Sequence, residues 1–231
     1  MAKEKMLRHS GLVRLVHWSI ALSTFTLIIT GMFQLPLAKR YFIDQLPGLS
    51  WTADYSSTVL IHYIAAAVLL SAVSVHIVYH VIRKEYNLIP KKGDLKESYQ
   101  IIKSMFGLCE EPKSDKYLAE QRLAYAYMAF SFLLILVTGV VKVIKNFPAM
   151  HFSATFISWV TNIHNLATFM IIFGIFAHLV AFAIKANWPL LPSMFTGMVD
   201  LEYAKHRHSI WCMKSAVGKE KKHQPKYSIG R

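Results

Sequence analysis

Four stretches of this chain, residues 15–38, 55–82, 123–141 and 146–184, contain no Asp, Glu, Lys or Arg. Crossing the hydrocarbon core of a bilayer as a helix takes about 20 apolar residues, and each stretch is long enough. Backbone groups in lipid must be satisfied within their own segment, which makes helices the expected form. None of the stretches shows the period-2 alternation of a barrel strand. The fourth is too long for one span, and Pro148 near its start predicts a loop followed by a helix from about residue 156. Only 17% of the 231 residues are charged and 54% are apolar, whereas soluble domains carry about 25% charge. A soluble enzyme is excluded. The expected fold is all-α, an integral membrane four-helix bundle.

The basic residues set the orientation. Of the 26 Lys and Arg, 22 fall before the first run, between the second and third, or after the fourth. The positive-inside rule assigns those segments to the cytoplasm. Both termini are therefore expected in the cytoplasm and the protein in the inner membrane as a multi-pass chain. The net charge of +13 is then topology and lipid-surface attraction, with no nucleic acid as partner. The apolar run at the start exceeds the 7–15 residues of a signal core and has no small-residue cleavage site, so it reads as an uncleaved span. The expected organisation is a cytoplasmic segment over 1–14, a membrane domain over 15–184 and a cytoplasmic tail over 185–231. Its spans run over about 15–36, 58–82, 123–144 and 156–184. In the connector, "NLIP" should end the second helix and "KESYQIIKSMFGL" should form an amphipathic helix on the membrane surface. "NWPLLPSMFTGMVDLEYAKHRH" predicts a surface helix after two prolines, and "GKEKKHQPKYSIGR" reads as disordered. Cys109 and Cys212 lack CxxC spacing and predict neither a disulfide nor a metal site.

Eleven histidines are present, and six lie in or beside the spans: His17, His62, His76, His80, His164 and His178. A single histidine in a membrane helix most often makes a helix-to-helix hydrogen bond. Several at matched depths call for another reason. His164 and His178 are 14 residues apart, which places them on nearly one face and about 21 Å apart along a helix. A hydrogen bond has no use for that arrangement, whereas two stacked haems do. Each b-type haem takes two neutral imidazoles on opposite faces of its iron. Depth then pairs His62 with His164 at the outer end and His17 with His178 at the inner end. His76 lies 14 residues after His62 and competes with His17 for the inner position. His80 reads as interfacial and His151 as part of the outer loop. His9, His206, His208 and His223 read as solvated or bound to lipid phosphate.

The segments "RLVHWSIAL", "LIHYIAAAV", "LAYAYMAFSFLLILVTGVV", "NIHNLATFMIIFGIFAHLVAF" and "MFTGMVDLEYAKHRH" cover most of the chain and carry a resemblance. Together they resemble the cytochrome b (gamma) subunit of respiratory formate dehydrogenase and the related thiosulfate reductase cytochrome b family. The His-Trp of the first span and the paired histidines of the fourth are the specific part. The resemblance implies two haem b groups held by His17, His178, His62 and His164, leaving His76 to packing or hydrogen bonding. It also implies a quinone, menaquinone or another, beside the inner haem at "DKYLAEQRLAY", where Lys116, Tyr117 and Gln121 fit. Leu118 and Glu120 depart from the formate-dehydrogenase pattern, which has Asn and Gly there. Tyr117 and Gln121 read equally as an interfacial helix cap.

The implied partners are an iron–sulfur subunit and a periplasmic molybdenum or tungsten catalytic subunit, assembled as a higher oligomer of the complex. Trp51, Tyr55 and Trp159 mark the outer interface, as docking residues or simply as an aromatic belt. The chain would conduct electrons to the quinone pool, or from it if the complex is a thiosulfate or polysulfide reductase. Other classes of reading are a haem-free membrane anchor and a metal-ion transporter using His76 and His80. A transporter would be expected to carry carboxylates in its spans, and the four runs have none.

Overall fold

The computed structural model describes residues 4–215 apart from 36 and 106; the tail read as disordered, with His223, lies outside them. Along the chain come β1 (Lys5–Leu7), α1 (Gly11–Phe33), α2 (Tyr55–Arg83), α3 (Asp94–Met105), α4 (Ala119–Ile144), α5 (Ala154–Val180), β2 (Met198–Asp200) and α6 (Leu201–Arg207), with short helical turns between them. Four helices are long and apolar enough to cross a membrane: Gly11–Phe33, Tyr55–Arg83, Ala119–Ile144 and Ala154–Ala183.

Polar caps set the starts of three of these helices. The Ser10 hydroxyl accepts from Val13 N at 3.3 Å, the Asp54 carboxylate from Ser57 N at 2.8 Å, and the Ser153 hydroxyl from Phe156 N at 3.2 Å. Each satisfies an orphan donor of the first turn. α2 ends at Arg83, before "NLIP" is reached. Lys84 takes a left-handed conformation, φ 53°, and its N–H closes onto Val81 O at 3.2 Å. The terminator is thus a backbone cap, and the proline lies downstream of it.

Two units make up the chain: residues 9–85, and residues 86–231 together with the N-terminal 1–8. In the first, α1 and α2 form an antiparallel hairpin. Thr30, near the end of α1, meets His62 near the start of α2, and Ser10 Oγ lies 3.4 Å from Tyr79 Oη at the other end. Ala65, Leu69 and Ala72 form a buried row on α2 at the spacing of one helix face.

In the second unit α4 and α5 form another antiparallel hairpin. The Tyr127 hydroxyl donates to Met170 O at 2.9 Å. Gly174 allows the close approach, since a Cβ there would run into the Met128 side chain and lie 3.2 Å from Tyr127 Cε1. The expected amphipathic helix is α3, shifted to Asp94–Met105. It presents Ile101, fully buried, to Leu118 and Ala119, while Leu95, Tyr99 and Ile102 remain exposed. A two-stranded antiparallel ladder pairs Lys5 with Asp200 and Leu7 with Met198. α6 begins at Asp200, whose carboxylate accepts from Glu202 N and Tyr203 N at 2.9 and 3.1 Å. Its Ala204 is fully buried against Leu190 and Val199, so this helix is part of a small core.

Large apolar side chains such as Leu22, Phe25, Leu133, Phe169 and Phe176 remain exposed along the long helices. Water would penalise that surface, and hydrocarbon accepts it. Hydroxyls within the spans bond their own backbone, as Ser23 does to Ser19 O at 2.6 Å and Ser131 to Tyr127 O at 2.9 Å.

Candidate functional site

In each hairpin one histidine sits near the turn end, where the two long helices are joined. In the first, Thr30 Oγ1 lies 2.9 Å from His62 Nδ1; in the second, Thr138 Oγ1 lies 2.9 Å from His164 Nδ1. The roles in these bonds follow from the other contact each hydroxyl makes. A hydroxyl has one proton, and Thr30 donates it to Thr26 O at 2.7 Å while Thr138 donates it to Leu134 O at 2.6 Å. Toward the imidazole each oxygen therefore accepts. Nδ1 must carry the ring proton, which leaves the lone pair on Nε2. That is the tautomer a metal ligand needs.

A glycine follows each threonine. A Cβ built on Gly31 would lie 3.5 Å from His62 Cε1, and one on Gly139 would lie 3.6 Å from His164 Cε1. Those are ordinary van der Waals distances, so the imidazoles themselves do not demand glycine.

The other histidines of the spans sit at the open ends of the hairpins. The His17 ring lies edge-on to Trp18 at 5.5 Å, and the His178 ring edge-on to Phe182 at 5.5 Å. His76 and His80 are ring neighbours at 4.5 Å. His80 donates from Nδ1 to Glu85 O at 3.2 Å, which ties it to the α2 terminus and gives it a capping role. Among the described residues no three His, Cys, Asp or Glu side chains gather as a metal site.

The segment entering α4 is braced by two guanidinium groups. Arg8 donates to Lys116 O at 2.6 Å and lies 5.5 Å from the Tyr117 ring and 5.4 Å from Trp211. Arg122 donates to Tyr117 O at 2.7 Å and forks onto Asp94, with Nε at 2.8 Å and Nη2 at 2.5 Å. This hydrogen bond from Arg122 holds the Asp94 carboxyl below the usual carboxylate range. Gln121 Oε1 accepts from Leu118 N at 3.2 Å, so its carbonyl serves as a cap. Tyr117 is half-buried and fixed in place, the two properties a ligand-contacting ring would need.

His208 departs from its expected solvated state. It is fully buried, and Nδ1 donates to Asp115 O at 2.8 Å. Burial, reinforced by the nearby Arg8 cation, lowers its pKa to about 4. His9 is buried as well, while His206 is exposed as expected. Tyr55 and Trp159 are exposed, and Trp51 is half-buried, edge-on to Phe33 at 6.0 Å.

The sequence profile of the prokaryotic cytochrome b561 family matches residues 8–197. The chain belongs to this family. The cytochrome b556 subunit of formate dehydrogenase from Haemophilus influenzae is 22% identical to it over 222 residues, covering 93% of this chain and 85% of that protein. The protein is thus a multi-pass membrane cytochrome of b type, whose prosthetic group is haem b. His62 and His164 fit that group on their own chemistry. In each, the Nδ1 proton is taken up by a threonine oxygen, the tautomer in which Nε2 carries the lone pair an iron ligand uses.

Sequence reasoning had not singled out Thr30, Gly31, Thr138, Gly139 or the Arg8, Asp94 and Arg122 contacts. A signal for the first four was present. The dipeptide Thr-Gly occurs late in both the first and the third run, as "LIITGMF" and "ILVTGVV".

Proposed function

We propose that this cytochrome is the dihaem membrane subunit of a formate dehydrogenase-type complex. It passes electrons between a periplasmic iron–sulfur and molybdenum or tungsten enzyme and the quinone pool. The observation that carries the reading is the threonine contact on His62 and on His164, which sets both imidazoles in the ligating tautomer. A structural hydrogen bond between helices would serve with either tautomer.

Haem b, when bound, supplies a one-electron couple within the hydrocarbon layer. The remaining work belongs to the chain. His62 and His164 hold the outer group, and His17 and His178 the inner one, with about 21 Å along α5 separating the two ligands of that helix. The apolar helices exclude water around both. At the cytoplasmic end Tyr117, held between Arg8 and the Arg122-bound backbone, faces the quinone, with Gln121 fixing the helix start. Protons for quinone reduction are drawn from that side. Trp51, Tyr55 and Trp159 lie where the iron–sulfur subunit docks. Negative charge moving inward, with protons consumed inside, builds the membrane potential.

Ligand substitution tests this reading. His164→Ala should lose the outer haem and keep the inner, and His178→Ala the reverse, each read from the reduced α band. Retention of both haems in His164→Ala, or an inner haem lost in His76→Ala and kept in His17→Ala, refutes the ligand assignment.

A further inference from the structure

We infer that Thr30 and Thr138 are positioning residues that lower the reduction potential of the outer haem through its ligand imidazoles; this rests on His62 and His164 holding that haem. Each threonine is the middle of a relay. Imidazole Nδ1–H donates to Oγ1 at 2.9 Å, and the hydroxyl donates onward to the carbonyl four residues back, at 2.7 Å in α1 and 2.6 Å in α4. A hydroxyl that donates is a better acceptor, so the two bonds strengthen each other in a low-dielectric site. The pull on the Nδ1 proton places more negative charge on Nε2. An imidazole so polarised is a stronger donor to iron, and a stronger donor favours the ferric over the ferrous state. The contact also fixes the rotation of the ring about its own axis.

Common loop length does not account for the duplication. Threonine and histidine are separated by 32 residues in the first hairpin and 26 in the second, yet both relays close with the same atoms at the same distance. Each threonine had a bond to its own backbone available without the histidine, as Ser131 in α4 has with Tyr127 O. The second lone pair is what the imidazole uses.

The test compares Thr30→Val, Thr138→Val and the serine variants at both positions, with the haem-loaded protein titrated potentiometrically at its α band. Valine keeps the branched shape and removes the oxygen; serine keeps the oxygen. Partners of this kind change metal affinity about 10–100-fold. Taking the lower end, borne by the ferric form, each valine variant should shift the ferrous-to-ferric ratio at fixed potential by about tenfold, or about 59 mV upward for a one-electron couple. The other haem should not move, and serine should restore the wild-type midpoint. A valine variant that loses one haem while its serine counterpart keeps it also supports the role. Fully loaded valine variants that titrate as wild type, or serine variants that behave like valine, overturn it. Haem-free wild-type protein, or a His164→Ala protein that retains both haems, overturns the underlying reading instead.

Discussion

Replacing Asp94 by Ala strands the guanidinium of Arg122 at the head of α4. The two side chains are 3% and 4% exposed. Asp94 accepts from Arg122 Nε at 2.8 Å, from Nη2 at 2.5 Å, and from Lys91 N at 2.7 Å. Glu97, which accepts a long 3.4 Å bond from Arg122 Nη2 and is 31% exposed, compensates only weakly. Removing one partner of a buried pair costs about 3–5 kcal/mol, and the lost bond to Lys91 N adds about 1 kcal/mol. The Asp94→Ala variant should therefore be destabilised by about 4–6 kcal/mol. Replacing both partners by leucine should recover most of that, because no charge is left buried. A denaturant titration of the detergent-solubilised protein, followed by circular dichroism, provides the cycle. A loss below about 1 kcal/mol in the single variant, or a double variant that falls as far as the single, would refute the reasoning. Because the native carboxyl titrates below its usual value, this stabilisation is complete above the ordinary carboxylate pKa. It fades as the pH falls through the lowered one.

Two further predictions concern the second unit. His208, with its pKa lowered to about 4 by burial and Arg8, stays neutral when folded, while the unfolded chain takes up a proton below its ordinary pKa of about 6.5. Stability should fall as the pH drops from about 6.5 to about 4, by about 3 kcal/mol in total. His208→Gln should flatten that window in a pH series of melting curves, and an unchanged slope would contradict it. Gly174→Ala gains about 1 kcal/mol in helix propensity but forces a methyl into Met128 and Tyr127, an overpacking that costs about 1–3 kcal/mol. A net loss is expected in the same denaturant titration, and a stabilised variant would show that α4 and α5 are not in close contact there.

The spans were legible because lipid excludes charge, and four uncharged runs leave little choice of fold. Their ends were less so, since Ser10 and Asp54 cap helices from outside those runs, Ser153 caps one from well inside the fourth, and Arg122 is buried inside a helix that the run begins after. The expectation of a surface helix near residue 201 missed that Ala204 is fully buried. The ladder between residues 5–7 and 198–200 joins three-residue strands across most of the chain, beyond any local pattern. Histidine spacing pointed to ligands by depth alone. The threonines escaped notice because a hydroxyl in a membrane helix ordinarily bonds its own backbone, and only the folded hairpins bring an imidazole to its second lone pair.

The central claim is tested most directly by the haem content of the purified, undegraded protein. Pyridine haemochrome analysis should give about two haem b per chain, with the sharp reduced α band of bis-histidine ligation. Colourless protein, or protein holding a single haem that survives replacement of either His164 or His178, would contradict it.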